Sequence, residues 1–246
     1  MASEGSAASV DAGEVARFGA LAQDWWRLDG PMAALHRLNP VRVAYVRDIL
    51  APQADKGARP LQGLRLLDAG CGAGILAEPL ARLGAQVTGI DPAAASVAAA
   101  RAHAEAAGLA IDYRQTSVEA LAARGERFDA VLAMEVIEHV RDVAGFLRAA
   151  ADLTAPGGTL FAATLNRTLK SYALAIVGAE YVLGWAPRGT HDWRKFLTPR
   201  ELARALERAG TQVFDEAGVV YDPLARRWRL ADDMDVNYML AARKGA

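Results

Sequence analysis

The sequence is poor in cysteine, in net charge and in long apolar runs. Cys71 is the one cysteine among 246 residues, which excludes an internal disulfide and indicates a reducing compartment. Lys and Arg number 28 against 29 Asp and Glu, and the formal net charge of −1 argues against a nucleic-acid partner. No stretch reaches the roughly 18 uninterrupted apolar residues of a membrane-spanning helix. We therefore expect a cytoplasmic protein.

The composition that remains is that of a globular domain. Hydrophobic residues make up 52% of the chain and charged residues 23%, which is enough to build a full core. Residues 1–12 are small and polar and lack the basic start and apolar core of a secretory signal, so we predict a disordered tail there. Residues 13–246 are predicted to form a single domain, with 13–63 as an N-terminal helical cover.

Hydrophobic periodicity predicts strands that alternate with helices along most of the chain. The predicted helices are 14–27, 41–50, 75–83, 93–107, 118–123, 143–153 and 199–209. The predicted strands are 64–69, 86–90, 111–115, 128–133, 159–163, 212–219 and 236–242. Asn39 and Pro40 are expected at the start of the second helix, as its cap and first residue. This alternation predicts an α/β fold with a mostly parallel sheet and helices on both faces.

A glycine cluster between the first strand and its helix is the best site signal. Gly70, Gly72 and Gly74 allow a tight turn and a close approach of the backbone to a ligand. Asp91 ends the next strand, where an acid hydrogen-bonds the ribose hydroxyls of a nucleoside. Dinucleotides favour glycines spaced G-x-G-x-x-G, but here the third position is not glycine. Asp68 adds a negative charge that suits the cationic S-adenosylmethionine better than a pyrophosphate.

Residues 68–74 and 89–91 resemble the first two motifs of class I methyltransferases, and 128–131 and 153–158 resemble later ones. The resemblance implies a Rossmann-like fold with seven strands, the last antiparallel, and S-adenosylmethionine as cofactor. It also implies that Arg42 contacts the cofactor carboxylate, Gly70 the methionine part and Asp91 the ribose. Met134 would pack near the cofactor. On the alternative interpretations, Arg42 is a solvated helix charge and Met134 fills the core.

More specific stretches resemble the ubiquinone-biosynthesis O-methyltransferases, from about Val15 to Lys244. They are residues 25–26, 35–42, 164–167, 177–181, 189–192 and 235–239. Enzymes of that family methylate catechol-type hydroxyls on polyprenylated rings, twice in the pathway. The resemblance therefore implies a polyprenyl phenol substrate, and it suggests a ubiquinone-biosynthesis complex as a partner.

An acidic cluster with a histidine follows the fourth strand. At offsets of three and four, Glu135, Glu138 and His139 are predicted to share one face of a helical turn. They are candidate ligands for Mg²⁺ or another divalent cation that would polarise a catecholate. Alternatively, His139 is the general base that takes the phenolic proton, or the segment only shapes the pocket. His191 is a second candidate base, or an ordinary loop histidine.

The segment 165–197 is an apolar insertion after the fifth strand. Its apolar and aromatic residues are interrupted by Gly178 and Glu180 and flanked by Arg and Lys. This pattern is typical of a segment that lies on a membrane surface, here the inner membrane. The alternative is a lid or core helix without lipid contact.

Three rival functions stay open at the level of the sequence. The first is a methyltransferase acting on another small molecule. The second is a non-catalytic scaffold that binds the adenosyl cofactor within a biosynthetic complex. The third, more distant, is a nicotinamide-dependent reductase.

Overall fold

The computed structural model describes residues 9–52, 59–174, 192–225 and 227–245. Its helices in these residues are α1 (Ala12–Ala20), α2 (Ala33–Leu50), α3 (Ala77–Arg82), α4 (Ala94–Ala106), α5 (Val118–Ala122), α6 (Val143–Leu153), α7 (Leu169–Ser171) and α8 (Pro199–Arg208). Its strands are β1 (Arg65–Ala69), β2 (Gln86–Asp91), β3 (Asp112–Gln115), β4 (Phe128–Met134), β5 (Thr154–Leu165), β6 (Thr211–Asp222), β7 (Arg227–Ala231) and β8 (Asn237–Lys244).

Within the described residues, the strands form one eight-stranded sheet in the order β3-β2-β1-β4-β5-β8-β6-β7. The first five strands are parallel, and β8 runs antiparallel to both β5 and β6. The Rossmann-like fold and its antiparallel last strand are therefore confirmed. The predicted count of seven strands misses β7, which turns back on β6 as a hairpin.

The two faces of the sheet carry separate hydrophobic clusters, because successive side chains of a strand point to opposite faces. Leu66 of β1 belongs to the cluster on one face and Leu67 to that on the other. Residues of α2, α3 and α4 complete the first cluster, and residues of α5, α6 and α8 complete the second. The prediction of helices on both faces is confirmed.

The N-terminal cover differs from its prediction in detail. The helix α2 begins at Ala33, so Pro40 lies inside it and Asn39 is not its cap. The Asn39 side chain is buried instead, and its Nδ2 donates to the Ile75 carbonyl at 2.7 Å. Of the predicted tail, residues 9–12 are described: Ser9 is buried, and its carbonyl accepts from the Arg141 N–H at 2.8 Å.

The insertion 165–197 is described only at its two ends, since residues 175–191 lie outside the described residues. Thr168 caps the short helix α7 at one end. At the other end, residues 193–195 form a single 3-10 turn. Of the helices in the described part of the chain, none has the length and apolar character needed to cross a membrane. A lid or a membrane contact at 165–197 stays a prediction.

Candidate functional site

One cavity of about 780 Å³ lies at the carboxyl ends of the parallel strands. This is the edge where open α/β sheets bind ligands, and the volume falls within the roughly 300–1,000 Å³ of small-molecule sites. The predicted residues that line it are Arg42, Asp68, Gly70, Asp91, Met134, Glu135, Glu138 and His139. The fold thus brings together most of the predicted site. His191 lies outside the described residues.

The glycine cluster forms a tight loop between β1 and α3. Gly70, Gly72 and Gly74 have φ angles of 77°, 52° and 87°, in the left-handed region that glycine adopts readily. The N–H groups of Gly70 and Cys71 both donate to the Ile90 carbonyl, at 2.8 and 2.9 Å, which ties the loop to β2. A Cβ on Gly72 would lie only 2.1 Å from the Trp25 ring. Position 72 must therefore be glycine if Trp25 of the N-terminal cover is to pack against the loop.

Asp91 is fixed at the end of β2 by two backbone N–H groups. Its Oδ2 accepts from Gly72 at 3.0 Å and its Oδ1 from Ala93 at 2.8 Å. Burial raises the pKa of Asp91, and these two bonds oppose the rise. Each carboxylate oxygen has a second acceptor position. The geometry is therefore compatible with Asp91 also accepting from ribose hydroxyls, and Gly72 contributes by holding Asp91.

Asp68 and Arg42 are opposite charges buried beside the glycine loop. Their residues are only 3% and 4% exposed, so the interpretation of Arg42 as a solvated helix charge is wrong. Burial raises the pKa of Asp68 to about 7, although the charge of Arg42 opposes the rise. Within the described residues, Asp68 Oδ2 and Arg42 Nε have no hydrogen-bond partner.

These orphaned atoms bear on whether the site fits the predicted cofactor. A buried polar atom without a partner costs about 1–3 kcal/mol, which a ligand that bonds to it recovers. A carboxylate acceptor and a guanidinium donor at one end of the cavity match the ammonium and carboxylate of a methionine group. The residues present therefore fit S-adenosylmethionine, with the methionine part toward Asp68 and Arg42 and the adenosine toward Asp91.

Met134 ends β4, and its position is compatible with both interpretations given to it. Its side chain is buried in the cluster formed with α2, α3 and α4, and it also lines the cavity. The flexible, polarisable thioether of methionine fills irregular gaps, so it can border a ligand while it packs in the core.

The acidic cluster after β4 is not arranged as predicted. Glu135 lies before the 3-10 turn of residues 137–139 and has a φ of 58°, so the three side chains do not share one helical face. The buried Glu138 accepts from Thr164 Oγ1 at 2.8 Å through Oε2. Among the residues that the structure describes, no group of three His, Cys, Asp or Glu is placed to hold a metal ion. The divalent cation stays a prediction without a ligand set.

Glu135 is nonetheless a carboxyl group with a strongly raised pKa. Burial and the nearby charge of Glu138 raise its pKa to about 7, whereas Arg42 and a hydrogen bond oppose the rise. That bond comes from Asn237 Nδ2 to Glu135 Oε1 at 3.3 Å. Asn237 starts β8 opposite Leu165, the last residue of β5, which brings it to the same edge of the sheet. Sequence reasoning gave Asn237 no role, because this contact depends on the antiparallel pairing of β8.

Two further parts of the cavity wall were missed by sequence reasoning. The β6–β7 hairpin contributes an apolar wall that includes Val219, Tyr221 and Trp228. From α1, Glu14 reaches His139, with 3.3 Å between Glu14 Oε2 and His139 Nδ1. No sequence motif links the hairpin to the glycine loop or Glu14 to His139. Only the fold brings these residues to the same cavity.

The comparisons with known proteins agree with this geometry. A family model described as a methyltransferase domain matches residues 36–216. A ubiquinone biosynthesis O-methyltransferase of Methylocella silvestris is 64% identical, over 98% of this chain and 97% of its own length. One from Methylobacterium sp. (strain 4-46) is 58% identical, over 97% of both chains.

Two solved structures of similar fold are described as methyltransferases. Magnesium protoporphyrin IX methyltransferase from Synechocystis PCC 6803, with bound SAH, superposes with a TM-score of 0.66 at 21% identity, over 94% of this chain and 97% of that one. A possible histamine N-methyltransferase from Thermotoga maritima gives 0.61 at 18% identity, over 94% and 99%. At such identities these structures support the fold alone. The family model and the relatives of 58–64% identity show that this chain belongs to the ubiquinone biosynthesis O-methyltransferases and is an S-adenosylmethionine-dependent enzyme.

Proposed function

We propose that this chain methylates catechol-type hydroxyls of polyprenylated ubiquinone precursors, at both O-methylation steps. The observation that carries the proposal is that a single cavity joins buried charged groups to an apolar wall. The charged end holds Asp68, Arg42 and Asp91, and the apolar wall includes Tyr221 and Trp228. Such a cavity suits a charged cofactor at one end and an aromatic ring with an apolar tail at the other.

The roles proposed for the cofactor-binding residues follow from their polar atoms that still have an acceptor or donor position to offer. When bound, S-adenosylmethionine supplies a methyl group made electrophilic by its sulfonium, and transfer yields an aryl methyl ether and S-adenosylhomocysteine. Asp68 Oδ2 would accept from the ammonium, and Arg42 would donate to the carboxylate. Asp91 would accept from the ribose hydroxyls, while Gly70 would allow close approach of the backbone. Holding both reactants at one sheet edge accelerates transfer by fixing their geometry.

The phenolic proton is proposed to leave to His139, which lines the cavity next to Glu138. A neutral imidazole accepts a proton through the ring nitrogen that carries no hydrogen, as a general base must. His191 is the alternative base and belongs to the segment outside the described residues. The geometry of Glu135, Glu138 and His139 does not favour a metal site, and no step is assigned to a cation.

The insertion is proposed to cover the cavity and to contact lipid. Lys170 and Leu174, at its described end, line the cavity, and Leu169 is 82% exposed. An exposed apolar side chain next to a cation suits a membrane surface. A polyprenyl tail entering from the inner membrane would then reach the apolar wall directly. Association with a ubiquinone-biosynthesis complex is a further proposal, which rests on the family.

Transfer of a labelled methyl group to a polyprenyl catechol tests the proposal. We expect turnover with the polyprenyl catechol and much less with a short soluble catechol. Only the polyprenyl catechol has an apolar tail that can contact the apolar wall of the cavity. Cofactor binding without turnover on either phenol would favour a non-catalytic scaffold, and a preference for the soluble phenol would favour another small-molecule substrate. A parallel reaction with EDTA tests the cation: loss of turnover that Mg²⁺ restores would support it.

A further inference from the structure

His139 lies between two carboxylates from distant parts of the chain. Its Nδ1 is 3.3 Å from Glu14 Oε2, on α1, and its Nε2 is 4.0 Å from Glu138 Oε1. The His139 and Glu14 side chains are only 13% and 18% exposed, so solvent screens their contact weakly. The shorter of the two contacts is the one to Glu14, 125 residues away in sequence. The partner that fixes the ring is thus supplied by the N-terminal cover.

Glu14 is itself held in place from several directions. Asp11 caps α1 by accepting from the N–H groups of Gly13 and Glu14. Arg17, one turn later, pairs with Glu14 Oε2, and Lys195 Nζ lies 3.4 Å from Glu14 Oε1. The hydrogen bond with His139 is the largest cause that lowers the pKa of Glu14, to about 2. Glu14 is therefore an ionised acceptor at neutral pH.

The ring of His139 is also packed from one side by the same helix. Phe18, four residues after Glu14, meets it edge to face, with 5.0 Å between ring centres and 80° between planes. Residues at this spacing lie on the same face of a helix, so α1 presents an acceptor and an aromatic wall together. Both features restrict the rotation of the imidazole.

We propose that Glu14 is a positioning residue that holds the proton of His139 on Nδ1 and so presents Nε2 to the substrate. An accepting carboxylate at one ring nitrogen selects the tautomer in which that nitrogen carries the proton, and the other nitrogen then carries the lone pair. This inference rests on the proposed function, in which His139 acts on the phenolic hydroxyl.

The consequence is that the N-terminal cover is part of the active site. A correctly oriented His139 requires α1 to be docked on the cavity, where Glu14 and Phe18 both form part of the wall. Turnover should therefore depend on Glu14 even though the cofactor residues Asp68, Arg42 and Asp91 belong to other elements.

The test compares Glu14→Ala and Glu14→Gln with Glu105→Ala and Glu105→Gln as matched controls. Glu105 is an exposed carboxylate on α4 away from the cavity, so the same substitutions there should leave kcat unchanged. Gln keeps a carbonyl acceptor for the Nδ1 proton, whereas Ala has none. We expect kcat to fall about tenfold to a hundredfold in Glu14→Ala and less in Glu14→Gln, with the cofactor Kd unchanged. Equal losses in the Ala and Gln variants would instead indicate that the Glu14 carboxylate itself binds substrate or cation, and would overturn the proposal.

A double-mutant cycle separates positioning from general stability. If Glu14 acts through His139, then Glu14→Ala should cause no further loss of kcat in a His139→Ala background. Losses that multiply in the double variant would show that the two residues act independently, which contradicts the proposal.

A measurement that does not need turnover separates the positioning role of Glu14 from the proposed methyl-transfer function. Nitrogen NMR of labelled histidine, recorded over a pH series, reports which ring nitrogen carries the proton in the neutral imidazole. The chain has four histidines, and His139→Ala assigns the signal. We expect the proton on Nδ1 in the wild type and in Glu14→Gln, but not in Glu14→Ala. An Nε2 proton in the wild type overturns the positioning role, whereas absent methyl transfer with an Nδ1 proton overturns only the proposed function.

Discussion

At the scale of single residues, the cofactor end of the cavity depends on charges that the fold buries before any ligand arrives. Asp68 and Arg42 each keep an atom without a partner among the described residues, and Asp91 is held by two backbone N–H groups. Desolvated charges are costly, and a ligand with complementary charges offsets part of that cost. We therefore expect the same groups to reduce the stability of the free protein and to favour binding of the zwitterionic methionine group.

Replacing Asp91 by Ala should weaken cofactor binding by about tenfold to a hundredfold, the effect of losing hydrogen bonds to a charged group. Calorimetric titration with S-adenosylhomocysteine measures the change. Asp91→Asn is the matched control, because it retains one acceptor oxygen and should lose less affinity. An unchanged Kd in Asp91→Ala would exclude the ribose role of this residue.

The raised pKa of Asp68, about 7, predicts a pH-dependent affinity. Below that value the buried carboxyl is protonated, so binding the cationic ammonium requires release of a proton. Affinity should therefore increase as pH rises to about 7, by up to about tenfold per unit, and level off above it. Asp68→Asn should bind more weakly above pH 7 and lose this dependence. If the variant keeps the wild-type profile, another group such as Glu135 causes it.

At the scale of elements, the alternation of strands and helices was predictable, but several boundaries and one strand were not. The strand β4 was predicted because its buried apolar run is continuous, with only Asp129 exposed. The hairpin strand β7 was missed, since it alternates arginine with Trp228, which is half-buried, and Leu230, which is exposed. The helix α2 was predicted to start near Pro40, yet it begins at Ala33, because tertiary contacts of Asn39 override the local signal.

The helix α8 offers an element-scale test of local stability. Thr198 and Glu201 form a capping box at its start, with 2.8 Å from Thr198 N to Glu201 Oε2. Thr198→Ala should destabilise the protein by about 1 kcal/mol, because the N–H of Glu201 in the first turn loses its side-chain acceptor. Urea denaturation measures this, with the exposed Arg204→Ala as control. Equal midpoints for the two variants would contradict the importance of the cap.

At the scale of the whole molecule, the site is assembled from segments that no motif connects. The glycine loop and Asp91 were predictable because they follow consecutive strands at a known edge of the sheet. The contacts of Glu14 with His139 and of Asn237 with Glu135 were not, since they join residues 125 and 102 positions apart. The shared helical face predicted for Glu135, Glu138 and His139 was wrong, because Glu135 adopts a left-handed backbone conformation before the turn.

The glycine loop, Asp68, Arg42 and Asp91 are proposed to bind the adenosyl cofactor together. A crystal structure of the protein with S-adenosylhomocysteine tests this proposal most directly. The ribose hydroxyls should lie within hydrogen-bond distance of Asp91, and the amino-acid end should contact Asp68 and Arg42. Electron density for the nucleoside away from this loop, with Asp91 making no contact to it, would contradict the account.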